Sequence, residues 1–392
     1  MQRKKRLADA RILIIHKYTK ELANCSKKRN FGHNMMNRRT AILLVLLAGL
    51  ALGRTEARAQ ADTVRLVFIG DVMAHGPQLN AALKPGADRN DPDGFDFSTS
   101  FQYVKDRFDA ADYVVANMEF PCGVRPYSGF PVFSAPQAMP EDARRAGVDL
   151  FLTANNHICD KGRPGMDSTY VIYTRMGVPF TGFYRSEGEE YENNPYIASI
   201  KGVRIAFINF TYGTNGMPIP EPWRVNGMDS VHVKQVIRRA QERGAELIIA
   251  LPHWGEEYHQ MPSPRQREWA EMLFREGVDA VIGSHPHVVQ PASFDPPHAL
   301  AYSLGNYVSN QSDPFTQIGM LYELVIVADR QGAAIVDAFP TYLWCSRHGR
   351  YERNYTVFPI QEWIGTRDQW MDKGEYDKMA REWEAFKKKF GL

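Results

Sequence analysis

The apolar run Val278-Asp-Ala-Val-Ile282 stops at Gly283 and passes at once into Ser284-His-Pro-His287. Its β-branched and small apolar residues read as a short buried strand, which the glycine ends. Two imidazoles flanking one proline just past a strand end can face a single concave site, and neutral imidazole is a good ligand for zinc, iron and nickel. A His-x-His pair alone constrains little. The constraint comes from four other apolar runs that finish the same way. Residues 64–69 stop at Gly70-Asp71, 113–116 at Asn117-Met-Glu119, 148–153 at Ala154-Asn-Asn-His157, and 247–251 at Pro252-His253. Ligand sites in open α/β sheets gather at the carboxyl ends of strands. Strand ends so decorated demand a fold that brings those edges together.

Helical spacing fills the intervals. Val233, Val236, Ile237 and Ala240 recur at i, i+3, i+4 and i+7, and Gly244 closes that helix. Residues 140–147 start with proline and end with glycine, residues 165–176 read as a helix, and 264–276 are amphipathic through Trp269 and Leu273. Residues 196–200 and 203–210 form a hairpin around Lys201-Gly202, and 321–328 pairs with 333–339 around Asp329-Arg-Gln-Gly332. Strand–helix alternation predicts α/β layers, and the hairpins make the sheets mixed. The Pro-, Gly-, Asn- and Asp-rich segment after Asp71 reads as loop to about Gly94, and 121–140 as a long loop beside the site.

Lys and Arg total 47 against 45 Asp and Glu, a formal charge of +2. That balance leaves no electrostatic footprint for nucleic acid. Residues 1–34 are basic and irregular and read as an overrun ahead of a start at Met35 or Met36. Residues 35–61 carry Arg38-Arg39, the apolar run 41–52 and then Ala57-Arg-Ala59, the layout of a secretory signal peptide with a small-x-small cleavage site. The run is shorter than the roughly 20 residues of a comfortable membrane span, although an uncleaved anchor competes with this reading. The expected location is the periplasm or cell envelope. Of the cysteines beyond the leader, Cys122 and Cys159 invite a disulfide, against the plainer reading of three buried thiols with Cys345. Residues 62–345 make one domain, and the charged, tryptophan-spaced residues 346–392 read as a C-terminal helical appendage packing on it.

Asp71, Glu119, Asn156, His157, His253, His285 and His287 all fall just past strand ends. Carboxylates, an amide oxygen and imidazoles form the mixed O/N set that Zn, Mn or Fe accepts. A carboxylate bridging two metals would make a hydrolytic site. Singly, each residue has a plain structural role: Asp71 as a turn aspartate, Asn156 as a left-handed turn residue, His253 as a core histidine bonded to backbone.

The ordered motifs Gly70-Asp71-Val-Met, Ala116-Asn-Met-Glu119, Ala154-Asn-Asn-His157-x-x-Asp160-x-Gly162, His253-Trp-Gly-x-Glu-Tyr258, Gly283-Ser-His-Pro-His287 and Ser303-Leu-Gly-Asn306 resemble the CapA family. These are capsule or poly-γ-glutamate synthesis proteins similar to calcineurin-like metallophosphoesterases. The resemblance implies a four-layer α/β/β/α metallophosphoesterase-like sandwich with mixed sheets and divalent metal ions, up to two, of Zn, Mn or Fe type. One ion would take Asp71, Glu119 and His287, and the other Glu119, Asn156, His253 and His285. His157 would be the catalytic acid, with His75, Asn117, Asp160 and Asn306 binding substrate or supporting the site. Met73 stands where the phosphoesterase pattern Asp-x-His has its histidine, and Glu119 replaces the common aspartate. His75 lies four residues past Asp71, a spacing that does not match direct replacement.

Two functions fit. One is a metal-dependent hydrolase cutting phosphoester or amide bonds of an anionic capsule-type or poly-γ-glutamate polymer or its precursor. The other is a non-catalytic component that binds such a polymer for the cell-envelope synthesis machinery. No Gly-x-Ser-x-Gly elbow, Walker loop or Gly-x-Gly-x-x-Gly fingerprint is present.

Overall fold

The computed structural model describes residues 62–330 and 332–392. The expected overrun at 1–34 and signal peptide at 35–61 lie outside the described residues. Strands β1 (Asp62–Val72), β2 (Tyr113–Met118), β3 (Leu150–Leu152) and β4 (Phe180–Thr181) come first. Helices α1 (Gly76–Ala82), α2 (Lys105–Ala110), α3 (Ala138–Ala146) and α4 (Gly162–Met176) connect them. Next are β5 (Phe183–Tyr184), α5 (Glu187–Asn193), the hairpin β6 (Tyr196–Ile200) and β7 (Val203–Thr211), and β8 (Arg224–Val225). The chain continues through α6 (Ser230–Glu242), β9 (Leu247–His253), α7 (Pro264–Arg275) and β10 (Ala280–Ile282). Short strands β11 (Ala292–Asp295), β12 (His298–Ala301) and β13 (Asn306–Val308) follow. Then come the long hairpin β14 (Ile318–Asp329) and β15 (Gly332–Ser346), β16 (Thr356–Pro359), α8 (Ile360–Trp363) and α9 (Lys373–Phe390).

The larger sheet runs β16-β15-β14-β1-β2-β3-β4, with β13 against the end of β1; the smaller runs β11-β12-β10-β9-β7-β6. Both are mixed. Strands β1 to β4 are parallel and β14 to β16 antiparallel, while β7, β9, β10 and β12 are parallel and flanked by antiparallel β6 and β11. Side chains alternate across a strand with period two, so each sheet has two faces to cover. Leu66, Phe68 and Val115 of the larger sheet meet Ile205, Phe207 and Ile249 of the smaller in the central core. The opposite face of the larger sheet, through Val67, Ile69 and Val114, packs on Leu79, Phe108, Met139 and Tyr173 of α1 to α4. Ala206, Ile208 and Ile248 pack on Val233, Ile237, Ala270 and Leu273 of α6 and α7. The fold is a four-layer α/β/β/α sandwich.

Two local expectations change. Residues 76–82 are helix α1 rather than loop: His75 caps it in a reciprocal bond pattern with Gln78, and Pro77 sits in its first turn. The same Gly and Pro that mark a turn also open a helix. Residues 346–392 pack on the domain as an appendage would, but they are not helical throughout. Strand β15 runs through Ser346, β16 adds an edge strand beside it, and Met379, Trp383 and Phe386 of α9 join the central core. Cys122, Cys159 and Cys345 are buried free thiols, so the Cys122–Cys159 disulfide is not formed. Among the described residues no helix is long and apolar enough to cross a membrane.

One glycine fixes how β1 enters the site. Up to Phe68, β1 pairs with β14; beyond Gly70 its partner becomes β13, with Asp71 opposite Asn306. At the switch the Gly305 carbonyl accepts the Asp71 N–H at 3.0 Å. A Cβ on Gly70 would stand 1.9 Å from that same oxygen. Gly70→Ala should therefore lose more than about 2 kcal/mol of unfolding free energy in urea titrations, the cost of overpacking against rigid backbone. A variant as stable as the parent would show that the β1–β13 contact yields freely.

Candidate metal centre

Each strand end delivers one part of the centre. Asp71 closes β1, Asn117 lies in β2 with Glu119 just beyond, Asn156 and His157 follow β3, His253 ends β9, and His285 and His287 follow β10. Asp71, Glu119 and His253 are fully buried. The loop after β10 turns sharply, with His285 at φ 99° and His287 at φ 59°. Residues other than glycine adopt such left-handed geometry at a cost of order 1–3 kcal/mol, and they do so most often at functional sites. Here it turns both imidazoles inward.

Glu119 stands at the centre. Its Oε1 lies 3.7 Å from His253 Nε2 and 3.7 Å from His287 Nε2, and it has no hydrogen-bond partner. Two overlapping ligand groups share it: Glu119 with His285 and His287, and Asp71 with Glu119 and His253, each set of ligating atoms within 4.8 Å. Asn156 Oδ1 lies 2.8 Å from His253 Nε2. The structure thus brings together all six proposed ligands; His287 Nδ1 also lies 3.2 Å from Asp71 Oδ2, and the His253 and His285 ring centroids are 4.8 Å apart. His285 shares a group with His287, and His253 shares one with Asp71.

A surrounding layer of polar groups orients these side chains. Asn117 Nδ2 donates to Asp71 Oδ1 at 2.8 Å and lies 3.3 Å from Glu119 Oε2. Asn306 Oδ1 is 3.1 Å from His287 Nδ1, which leaves the His287 Nε2 turned to Glu119. Asp160 Oδ2 is 2.8 Å from His157 Nδ1 and also accepts the Phe133 N–H at 2.7 Å. His75 joins neither ligand group. Its Nδ1 lies 3.0 Å from Gln78 Oε1 and 3.3 Å from the Asn310 N–H, and its ring packs edge-on against Phe133. Burial pushes its pKa down to about 4, with the hydrogen bond to Gln78 opposing. Met73 packs in the core beneath the helices, so no imidazole from its position reaches the centre.

Sequence reasoning missed three contributors. Ser284 Oγ holds His253 Nδ1 at 2.9 Å, which points Nε2 at Glu119. Asn155 Nδ2 ties Asn117 Oδ1 at 3.2 Å to the carbonyl of Met118 at 2.9 Å. Tyr212, just past β7, lies over His285 with ring centroids 4.5 Å apart. Ser284 and Asn155 sat inside motifs already recognised, and Tyr212 follows a strand end of the same kind.

The electrostatics suit a cation. Burial, and then the neighbouring Asp71, raise the Glu119 pKa well above the usual carboxylate range. Burial and the adjacent imidazoles hold His253 and His285 well below the usual histidine value, so both rings are neutral. Among the described residues no Lys or Arg forms an ion pair with Asp71 or Glu119, and His285 Nδ1 is buried without a partner. Neutral imidazoles beside buried, uncompensated carboxylates are the donor set of a divalent metal site.

The family model for the bacterial capsule synthesis protein PGA_cap matches residues 65–311. The chain belongs to this capsule synthesis family. Within it, the capsule biosynthesis protein CapA of Bacillus anthracis is 27% identical over 317 residues, covering 76% of this chain and 73% of that protein. The PGA biosynthesis protein CapA of Bacillus subtilis (strain 168) is 27% identical over 256 residues, 64% of this chain and 64% of its own length. Among solved structures, the calcineurin-like phosphoesterase YfkN of Bacillus subtilis aligns at 13% identity with a TM-score of 0.47, covering 72% of this chain and 91% of that one. The matched residues 65–311 of this capsule-family chain span Asp71, Glu119, Asn156, His157, His253, His285 and His287.

Proposed function

We propose that this protein is an exported, metal-dependent hydrolase of the cell envelope. It would act on phosphoester or amide bonds of an anionic capsule-type or poly-γ-glutamate polymer or its precursor. The observation that carries this reading is the unpartnered Oε1 of fully buried Glu119, set between two imidazole nitrogens at 3.7 Å. Asp71, Glu119, Asn156, His253, His285 and His287 would hold one or two ions of Zn, Mn or Fe type. A bound ion supplies positive charge that polarises a phosphoryl or carbonyl oxygen of the substrate.

The chain's own residues then have distinct tasks. Asp160 accepts from His157 Nδ1 and fixes the ring, so that Nε2 is the nitrogen left to carry a second proton and, from that imidazolium form, to hand it to a leaving oxygen or nitrogen. Phe133, edge-on to both His75 and His157, excludes water between those rings. Asn117 and Asn306 hold Asp71 and His287 in place.

His253→Ala is expected to lose most of the bound metal measured by mass spectrometry of the purified protein. It should also lose turnover of bis(p-nitrophenyl) phosphate and of γ-glutamyl amides. Wild-type metal content in that variant would end the metal-centre reading.

Met73 favours a second reading. With no imidazole at that position, a centre that binds metal yet turns over neither substrate class would be a polymer-binding component of the synthesis machinery.

A further inference from the structure

Residues 306–311, the segment that carries β13 past the sheet edge, have the metal centre on one side. On the other is a cavity of about 390 Å³ whose lining includes Asn80, Asn310, Arg347, His348, Arg350 and Tyr355. The wall between is continuous. Asn306 holds His287 through Oδ1 and donates through Nδ2 to Gln311 Oε1 at 2.8 Å. The Asn310 N–H points to His75 Nδ1 at 3.3 Å, while its side-chain oxygen accepts from the Tyr355 hydroxyl.

Arg347 is the unusual member. One of its terminal nitrogens donates to the Gln311 carbonyl, but its Nε is buried with no hydrogen-bond partner. Among the described residues no carboxylate pairs with it, whereas Arg350 at the same cavity is paired with Asp372. A buried donor left unmade is costly, and more so when it is charged. A guanidinium presents its donors in a planar fork that matches carboxylate or phosphate oxygens. The formal charge of the whole chain is only +2, so this local excess is a property of the cavity and not of the surface at large.

We propose that this cavity is an oxyanion subsite, in which Arg347, supported by Arg350, binds a carboxylate or phosphate of an extended anionic chain. The reading of the neighbouring centre supplies only the direction: a chain held at Arg347 runs over His75 and presents its next unit to the metal ligands. Repeated anionic groups would then be selected over a neutral polymer with the same scissile bond.

The test is calorimetric titration of the full chain with two probes, a γ-linked glutamate trimer and inorganic phosphate. Wild-type affinity should fall as sodium chloride rises. Arg347→Ala should weaken binding at least about tenfold and Arg350→Ala less, since its partner Asp372 already compensates it, with bound metal unchanged in both. A weakened trimer identifies the source as carboxylate; weakened phosphate identifies it as phosphate. Unchanged affinity of both variants for both probes would overturn the subsite. Binding abolished by His253→Ala but not by Arg347→Ala would overturn it too, by moving the probe to the metal centre. Should His253→Ala keep its metal, the centre is misread, yet Arg347-dependent binding would still establish the subsite.

Discussion

His157→Ala is expected to lower turnover roughly 10²–10⁴-fold, about 3–5.5 kcal/mol of barrier, while bound metal stays at the wild-type level. His157 is absent from both ligand groups, and its contacts run to Asp160 and the Phe133 ring. Its removal takes away the proton donor and leaves the ligands of the centre untouched. The measurement is turnover and metal content on the same preparation, with His253→Ala alongside. A drop in both quantities would make His157 a ligand. Equal turnover in wild type and both variants would mean that another enzyme in the preparation does the work. Wild type that holds metal but cuts neither phosphoesters nor γ-glutamyl amides would favour the polymer-binding reading.

Much of the centre was legible in the sequence because its geometry is local. Asp71, Glu119, Asn156 and His253 each sit within a few residues of a run of buried residues such as Leu247–His253, so period and strand end locate them together. The hairpin of β14 and β15 was legible too, since its turn at 329–332 lies between two apolar runs. What stayed hidden depends on contacts distant in sequence. Strand β13 is three residues long and exists because Asn306 and Val308 pair with Asp71 and Val72, more than two hundred positions away. No local pattern announces that. Helix α9 reads from its charge-rich face as an appendage packed on the domain, and the stripe of Met379, Trp383 and Phe386 that does the packing is buried. The positive φ angles of His285 and His287, which shape the turn after β10, are likewise something a sequence does not display.

Glu119→Gln should separate the cost of the centre from its use. Glu119 and Asp71 are both fully buried, and burial with the nearby Asp71 raises the Glu119 pKa. An acid whose pKa is higher folded than unfolded costs stability as pH rises above its unfolded value, near 4.3, and costs nothing below it. Glutamine keeps the shape without the charge. Metal-free Glu119→Gln should therefore melt at or above the metal-free wild type at pH 7, and the difference should shrink as pH falls toward 4. Added metal should reverse the order. A ligand at one hundred times its Kd stabilises the native state by about 2.7 kcal/mol, several degrees of melting temperature, and the variant has no carboxylate at the one residue that both ligand groups share. The expected pattern is a metal-dependent rise in the wild-type melting temperature, lost on chelation, and no rise in Glu119→Gln. A variant that still gains stability from metal would remove Glu119 from the ligand set. One that melts well below the metal-free wild type at pH 7 would show that its carboxylate holds the apo fold together by contacts other than those to a metal. Natural active sites commonly carry groups that destabilise the empty fold, and in this chain that burden would fall on Glu119.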